Sequence, residues 1–166
     1  MICGNCIKFG DSVNTDIIMP GRYLVSIDPQ ELAEHAFEPL GPEVQQRLRN
    51  SKVVVAGVNF GCGSAREQAA SCLLGVGIKA VIAKSFARTF FRNTINTGLL
   101  AIESPEAAEA IQDGGEACID TEAGTITVGD KVFHFPPYPE SLRRILDAGG
   151  LMPYVAKYVL AGGEVK

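Results

Sequence analysis

An α/β domain is what this sequence predicts, and two patterns in it say so. Between Val53 and Gly114, short β-branched apolar runs alternate with helical segments, the arrangement of parallel strands joined by helical crossovers. From Ala117 onward the rhythm changes to period-two alternation broken by turn residues, which reads as hairpins. The 166 residues are expected to form one domain, residues 1–166, long enough to bury a core.

Taken in order, Cys3 and Cys6 alternate with Ile2, Asn5 and Ile7 as in an N-terminal strand. Gly10-Asp11-Ser12-Val13-Asn14-Thr15-Asp16 is rich in turn formers and is expected to be loop. It leads through Ile17-Ile18-Met19 to Pro20-Gly21-Arg22-Tyr23-Leu24, a stretch that suits either a solvated connection or a ligand-facing loop. Asp28-Pro29 starts a helix, with Asp28 as N-cap, Pro29 in the first position, and Leu32, Ala33 and Ala36 on one face. Pro39 and Gly41-Pro42 interrupt it before a short helix over 43–48.

Val53-Val54-Val55-Ala56 is too short and too rich in valine for a helix and reads as a buried strand. Gly61 and Gly63 follow, then Ser64-x-x-Glu67, which has the form of a capping box opening a helix through Gly75. Ala80-Val81-Ile82-Ala83 is a second buried strand with Lys84-Ser85 at its end. A helix over 86–96 carries Phe86, Phe90, Phe91 and Ile95 and closes at Gly98. Leu99-Leu100-Ala101-Ile102 is a third strand, and Ser104-Pro105-Glu106 caps a helix stopped at Gly114-Gly115. Turn signals at 120–124 and 128–131 mark hairpins, and two helices over 140–148 and 151–160 meet at Gly149-Gly150.

The junction after Val53-Val54-Val55-Ala56 is where chemistry is expected. A strand, a glycine-rich turn and a helix N-terminus present bare N–H groups and the positive end of a helix dipole. Ser64 and Arg66 stand there, so an anionic ligand, carboxylate or phosphate, fits. Three familiar motifs fail at this point. A P-loop needs a lysine before the serine, and Gly63 occupies that place. The dinucleotide fingerprint begins at Gly61-x-Gly63 but meets Arg66 at its third glycine. A hydrolase nucleophile elbow needs glycines where Cys62 and Arg66 stand. Cys62 itself, with no histidine near in sequence, reads as a nearby thiol rather than a nucleophile.

Composition removes other classes. A formal net charge of −4 and a pI near 5.2 argue against nucleic acid as a partner. No apolar run approaches the roughly 20 residues of a membrane span, and no signal-peptide pattern opens the chain, so a cytoplasmic protein without membrane contact is expected. Five cysteines, an odd number, fit free thiols in a reducing compartment better than a disulfide frame. Cys3-x-x-Cys6 is half of a tetrahedral site at best, with neither His35 nor His134 near in sequence, so no metal is assigned to this chain.

Asn59-Phe60-Gly61-Cys62-Gly63-Ser64-Ala65-Arg66-Glu67-Gln68 resembles the signature of the small subunits of 3-isopropylmalate dehydratase, in the aconitase superfamily. Asn14-Thr15-Asp16-Ile17-Ile18 with Pro20-Gly21-Arg22-Tyr23-Leu24 is similar to that family's N-terminal motif. Ala83-Lys84-Ser85-Phe86-Ala87-Arg88, Phe91-Arg92-Asn93 and Asn96-x-Gly98-Leu99 resemble its second block, and Gly149-Gly150-Leu151-Met152-Pro153-Tyr154 its C-terminus.

The resemblance implies the swivelling β/β/α domain of the aconitase C-terminal-domain type. It implies a separate large subunit, in a heterodimer or heterotetramer, that carries the 4Fe-4S cluster, and a hydroxy di-acid as small-molecule substrate. The implied chemistry is stereospecific loss and return of water, in which the serine matching Ser64 is the base. Arg66 matches the arginine that holds a substrate carboxylate, and Asp16 an aspartate near the active site. Gly63 and Arg22 fall in the same motifs. Ala65 departs from the pattern, since most relatives carry a second serine that bonds a substrate carboxylate.

The resemblance implies that the residues after Tyr23-Leu24 line the pocket for the substrate's variable group; relatives that resemble homoaconitase place an arginine directly after Tyr-Leu, and this chain has Val25. An apolar branch at that point is expected to prefer 3-isopropylmalate. Small subunits of homoaconitase and of 2,3-dimethylmalate or citramalate dehydratase are the enzymatic alternatives. An anion-binding regulatory module is the non-enzymatic one.

Overall fold

In the computed structural model, which describes residues 1–160, seven strands form one sheet. They are β1 (Ile2–Lys8), β2 (Val53–Ala56), β3 (Ala80–Ala83), β4 (Leu100–Glu103), β5 (Glu116–Asp120), β6 (Thr125–Val128) and β7 (Lys131–His134). Their order is β4-β3-β2-β1-β5-β6-β7, and the sheet changes character at β1. On one side β1 to β4 run parallel; on the other β5 to β7 run antiparallel. The two sequence patterns therefore mark the two halves of one sheet.

Each parallel strand is covered on both faces, which is why β2 and β3 are unbroken apolar runs. Alternation then sorts their side chains. Val54, Ala56, Val81 and Ala83 face a core completed by Leu32, Phe37, Leu73 and Phe90. Val53, Val55, Ala80 and Ile82 face a second core with Ala107, Ala108, Ile119 and Ile126. The crossovers are α4 (Gln68–Val76) between β2 and β3 and α5 (Arg88–Thr97) between β3 and β4, with α6 (Pro105–Ala110) following β4. Ahead of β2 come α1 (Thr15–Ile18), α2 (Pro29–Ala33) and α3 (Pro42–Arg49), and after β7 come α7 (Glu140–Asp147) and α8 (Leu151–Val155). The expected caps at Asp28 and Gly98 form: Asp28 Oδ1 accepts from Gln30 N at 2.9 Å, and Gly98 closes α5 at φ +86°.

Three expectations are corrected. The segment 10–16 is not loop to its end, because Asn14 caps a helical turn, its Oδ1 accepting from Asp16 N at 2.8 Å. α4 begins at Gln68 rather than at Ser64, and no side chain caps it. The capping box is therefore absent, since 61–66 is tied to its neighbouring loops instead. Finally, the cysteines are not all free: Cys3 is bonded to Cys118, 115 residues away. The antiparallel register places Cys3 directly opposite Cys118 with Cα atoms 4.1 Å apart, a pairing that sequence spacing cannot show. Cys6, three positions on, points to the other face of the strand and is buried.

The disulfide ties β1 to β5 where the parallel and antiparallel halves meet. Alkylation of the denatured, unreduced chain should label three cysteines, Cys6, Cys62 and Cys72, and five after reduction. In the chain-entropy account a bridge closing so long a loop is worth about 4–5 kcal/mol, so reduction should lower the unfolding midpoint measurably. Five labelled thiols before reduction would contradict the pairing.

Candidate active site

Three loops leave the same edge of the sheet, after β1, β2 and β3, the usual ligand side of an open α/β sheet. The loop after β2 lies between the other two and is bonded to both. On one side, Val58 N donates to Asp11 Oδ1 at 2.8 Å, Ser12 N to Val58 O at 2.8 Å, and Gly61 N to Val13 O at 2.8 Å. Thr15 N then donates to Cys62 O at 2.8 Å, and the buried Thr15 hydroxyl to Ser64 O at 2.9 Å. On the other side, Asn59 N donates to Ser85 Oγ at 2.8 Å and Phe60 N to Ser85 O at 3.0 Å. Ala87 N returns a bond to Phe60 O at 2.9 Å.

Close approach explains the residue types. Gly61 has φ +77°, and a Cβ there would fall 2.2 Å from Phe90 Cγ. Gly63 has φ +94°, and its Cβ would fall 2.6 Å from Asn14 Oδ1. Both positions need glycine twice over, for the dihedral and for the space. Phe60 is fully buried and meets Phe90 edge to face at 5.2 Å, anchoring the turn to α5.

The turn delivers Ser64 to the surface. Ser64 is exposed, and among the described residues its hydroxyl has no hydrogen-bond partner. The backbone amides of Gly63, Ser64 and Ala65 likewise meet no acceptor among the described residues. Two residues on, Arg66 is held: its Nη1 donates to Met19 O at 3.1 Å and pairs with the Asp16 carboxylate. The Arg66 side chain is 14% exposed and that of Asp16 56%, so the pair forms a rim with one cation anchored and oriented. A Cβ added at Gly21 would stand 3.5 Å from Nη2 of the same guanidinium.

Beyond this rim runs the loop containing Val25, whose side chain is almost wholly exposed at 94%. Arg22 in that loop is turned onto Glu38, with which it pairs. The structure thus brings Ser64, Gly63, Ala65, Arg66 and Asp16 to one edge, with Arg22 and Val25 on the adjoining loop. Two hollows of about 490 and 520 Å³ lie elsewhere, and neither is lined by residues 61–66. Ser64 stands on an open face.

Sequence reasoning missed the residues that build this arrangement: Ser85, whose side chain and carbonyl hold Asn59 and Phe60, and Glu38. Thr15 was legible only as part of a turn-rich loop. No spacing rule would have found Ser85, since its partners are some 26 residues away.

The family model of the aconitase C-terminal domain matches residues 15–107, from the loop after β1 through the start of α6. The fold and this edge thus define an α/β domain of the aconitase C-terminal type, as the residues of the turn led one to expect. The chain is 48% identical over 157 residues to the 3-isopropylmalate dehydratase small subunit of Saccharolobus islandicus, covering 95% of each. It is 45% identical over 161 residues to the small subunit of Moorella thermoacetica, covering 96% and 97%. A crystal structure of 3-isopropylmalate dehydratase from Methanocaldococcus jannaschii superposes with a TM-score of 0.88 at 44% identity, covering 97% of this chain and 96% of that one. The chain belongs to the family of 3-isopropylmalate dehydratase small subunits.

Ser64 and Gly63, though adjacent, should respond oppositely when changed. Ser64→Ala removes no cap and no internal bond, so chemical denaturation should show a change within about 0.5 kcal/mol. Gly63→Ala forces a left-handed side chain into Asn14 and should cost about 1–3 kcal/mol. Equal losses would mean that Ser64 does cap the helix.

Proposed function

We propose that this chain is the small subunit of a 3-isopropylmalate dehydratase, a hydro-lyase that interconverts 2-isopropylmalate and 3-isopropylmalate by loss and return of water in leucine biosynthesis. One observation carries the reading. Ser64 is exposed, with its hydroxyl and amide unpartnered among the described residues, at the end of a turn bonded on both flanks and two residues from an arginine already fixed by Asp16.

The reaction must remove a proton from a carbon next to a carboxylate, a weak acid that needs a strong and well-supported base. Ser64 serves as that base in its alkoxide form. The amides of Gly63, Ser64 and Ala65, without acceptors among the described residues, are available to support the developing charge, and Arg66 adds a full positive one. Gly61 does not contribute an amide, because its N–H is bonded to Val13 O. The N–H groups of Arg66 left over by Asp16 and Met19 bind a substrate carboxylate, and the carboxylate of Asp16 fixes the plane of the guanidinium. Ala65 offers only its backbone where most relatives add a hydroxyl. Gly63 lets the backbone come close, and Arg22 and Val25 belong to the loop that meets the substrate's variable group.

The residues of this chain do not fit an iron–sulfur cluster. Cys3 is bonded to Cys118, and Cys6 and Cys72 lie in different cores, on opposite faces of the sheet. Burial pushes the Cys6 thiol up to about 11 and raises that of Cys72 further, whereas a ligand must be thiolate. Among the described residues no group of three or more His, Cys, Asp or Glu is placed to hold a metal ion. We assign the 4Fe-4S cluster to the large subunit, which closes over the open face in a heterodimer or heterotetramer. Closure would expel water, without which the alkoxide gains little from its donors. The chain acts as one swivelling domain over 1–166 in the cytoplasm; among the described residues no helix is long and apolar enough to cross a membrane.

Val25 selects the substrate. A valine can pack against an isopropyl branch, worth about 1–3 kcal/mol, but leaves a third carboxylate unpaired at a much larger cost. This separates the reading from homoaconitase. Reconstituted anaerobically with a large subunit and given a substrate panel, the chain should prefer 3-isopropylmalate over homoaconitate, with citramalate and dimethylmalate weaker. Val25→Arg should move the ratio of kcat/KM toward the tricarboxylate by roughly tenfold or more. A wild-type preference for homoaconitate would overturn the substrate assignment, and activity of this chain alone would overturn the division of labour.

A further inference from the structure

Glu38 collects three donors on one carboxylate, two of them from the loop that carries Val25. Its Oε1 pairs with Arg22 and accepts from the Tyr23 hydroxyl at 3.0 Å, and its Oε2 lies 2.8 Å from His35 Nδ1. The Tyr23 ring stacks on the His35 ring with centroids 3.5 Å apart and planes 7° from parallel. The Arg22 guanidinium lies over the Tyr23 ring, 4.8 Å from its centroid.

The two ends of this assembly differ in footing. Glu38 follows Phe37, which is fully buried, stacks on Phe9 at 4.3 Å, and donates its N–H to Ile18 O at 3.0 Å. Phe37 holds φ +55°, a conformation an aromatic residue keeps only where its surroundings impose it. Glu38 is thus fixed to the core. The Val25 loop is held more loosely: Tyr23 and Leu24 pack partly buried against the core and the Ser26 hydroxyl donates to Glu31 Oε2 at 2.6 Å, but the 3₁₀ turn Gly21–Tyr23 has no fully buried residue. Val25 and Ile27 are 94% and 86% exposed. Its internal bonds are long ones, Leu24 N to Gly21 O at 3.3 Å and Ser26 N to Tyr23 O at 3.2 Å. Its tie to α4 is longer still, Gln68 Nε2 to Leu24 O at 3.4 Å.

We propose that Glu38 is a positioning residue for substrate selection, clasping Arg22, Tyr23 and His35 so that Val25 stands at a fixed place on the loop. A single exposed ion pair does little, but three donors and a ring stack converging on one carboxylate remove several rotors at once. Arg22 accordingly acts through Glu38, orienting the loop rather than meeting the substrate with a free guanidinium. Glu38 touches neither Ser64 nor Arg66, so the base and the carboxylate anchor are left as they are. The inference rests on the reading of Val25 as the residue that meets the substrate's alkyl branch.

Two measurements on the assembled complex test it. Hydrogen exchange of the amides of Leu24, Val25 and Ser26 reads the clasp whatever the substrate proves to be. Glu38→Ala should speed that exchange about tenfold, and Glu38→Gln, which keeps the acceptor for Arg22 and Tyr23 and can donate to His35, should restore most of it. Kinetics read the consequence: Glu38→Ala should raise KM for 3-isopropylmalate about tenfold with kcat within about twofold, and narrow its preference over citramalate. Glu38→Gln should stay near wild type. Tyr23→Phe, which keeps the ring stack but loses one donor, should lie between. Unchanged exchange in Glu38→Ala would overturn the clasp. Faster exchange with unchanged KM and preference would overturn its link to selection, while a wild-type complex inactive on alkylmalates would fault the substrate reading and leave the exchange result standing.

Discussion

The structure depends on backbone hydrogen bonds that run sideways between loops. The loop after β2 is effectively a further strand, laid between the loops after β1 and β3 and bonded to each. Asn14 bridges Cys62 on one flank and Phe60 bridges Phe86 on the other, carrying the order of the sheet beyond its strands. A loop so held sits at the firm end of the stability range, and side chains on it can be placed finely without a helix beneath them. The two glycines follow from the same constraint, because the bonded neighbours leave no room for a Cβ.

Charge is arranged outward from that frame. Arg66 is the first positive group beyond the turn, and its partners, Asp16 and the Met19 carbonyl, both come from the segment around α1. The same segment gives Ile18 O to Phe37, whose neighbour Glu38 holds the Val25 loop. One short helical turn therefore links Arg66 to the loop that carries Val25. Glu38 is itself held below the ordinary carboxylate range by the hydrogen bonds from Tyr23 and His35, then by Arg22. Its contribution to the fold is accordingly present above the unfolded carboxylate value and fades as pH falls through the lower folded one.

Much of this was legible in the residues. Valine runs gave the parallel strands, Asp28-Pro29 and Gly98 gave helix ends, and the run Asn59 to Gln68 gave a candidate site and the family. Ser64 was misread locally: Ser-x-x-Glu has the form of a cap, yet Thr15 draws the Ser64 carbonyl away and α4 starts later. Short-range rules assume that nothing distant competes for the backbone, and here something does. Cys3 with Cys118, and Ser85 with Asn59, were hidden for the same reason, since each pair meets only once the sheet has set its register. Glu38 carried no signal in the sequence, since Arg22 and Tyr23 lie 16 and 15 residues from it.

The central claim is that Ser64 takes the proton. Substrate incubated in deuterium oxide with the assembled complex should gain deuterium at the carbon that loses its proton, as elimination reverses. A complex carrying Ser64→Ala, assembled and still binding 3-isopropylmalate with an affinity near that of wild type, should incorporate deuterium slower by several orders of magnitude, roughly the loss of a general base and its oriented support. Deuterium incorporation at the wild-type rate by that variant would contradict the account.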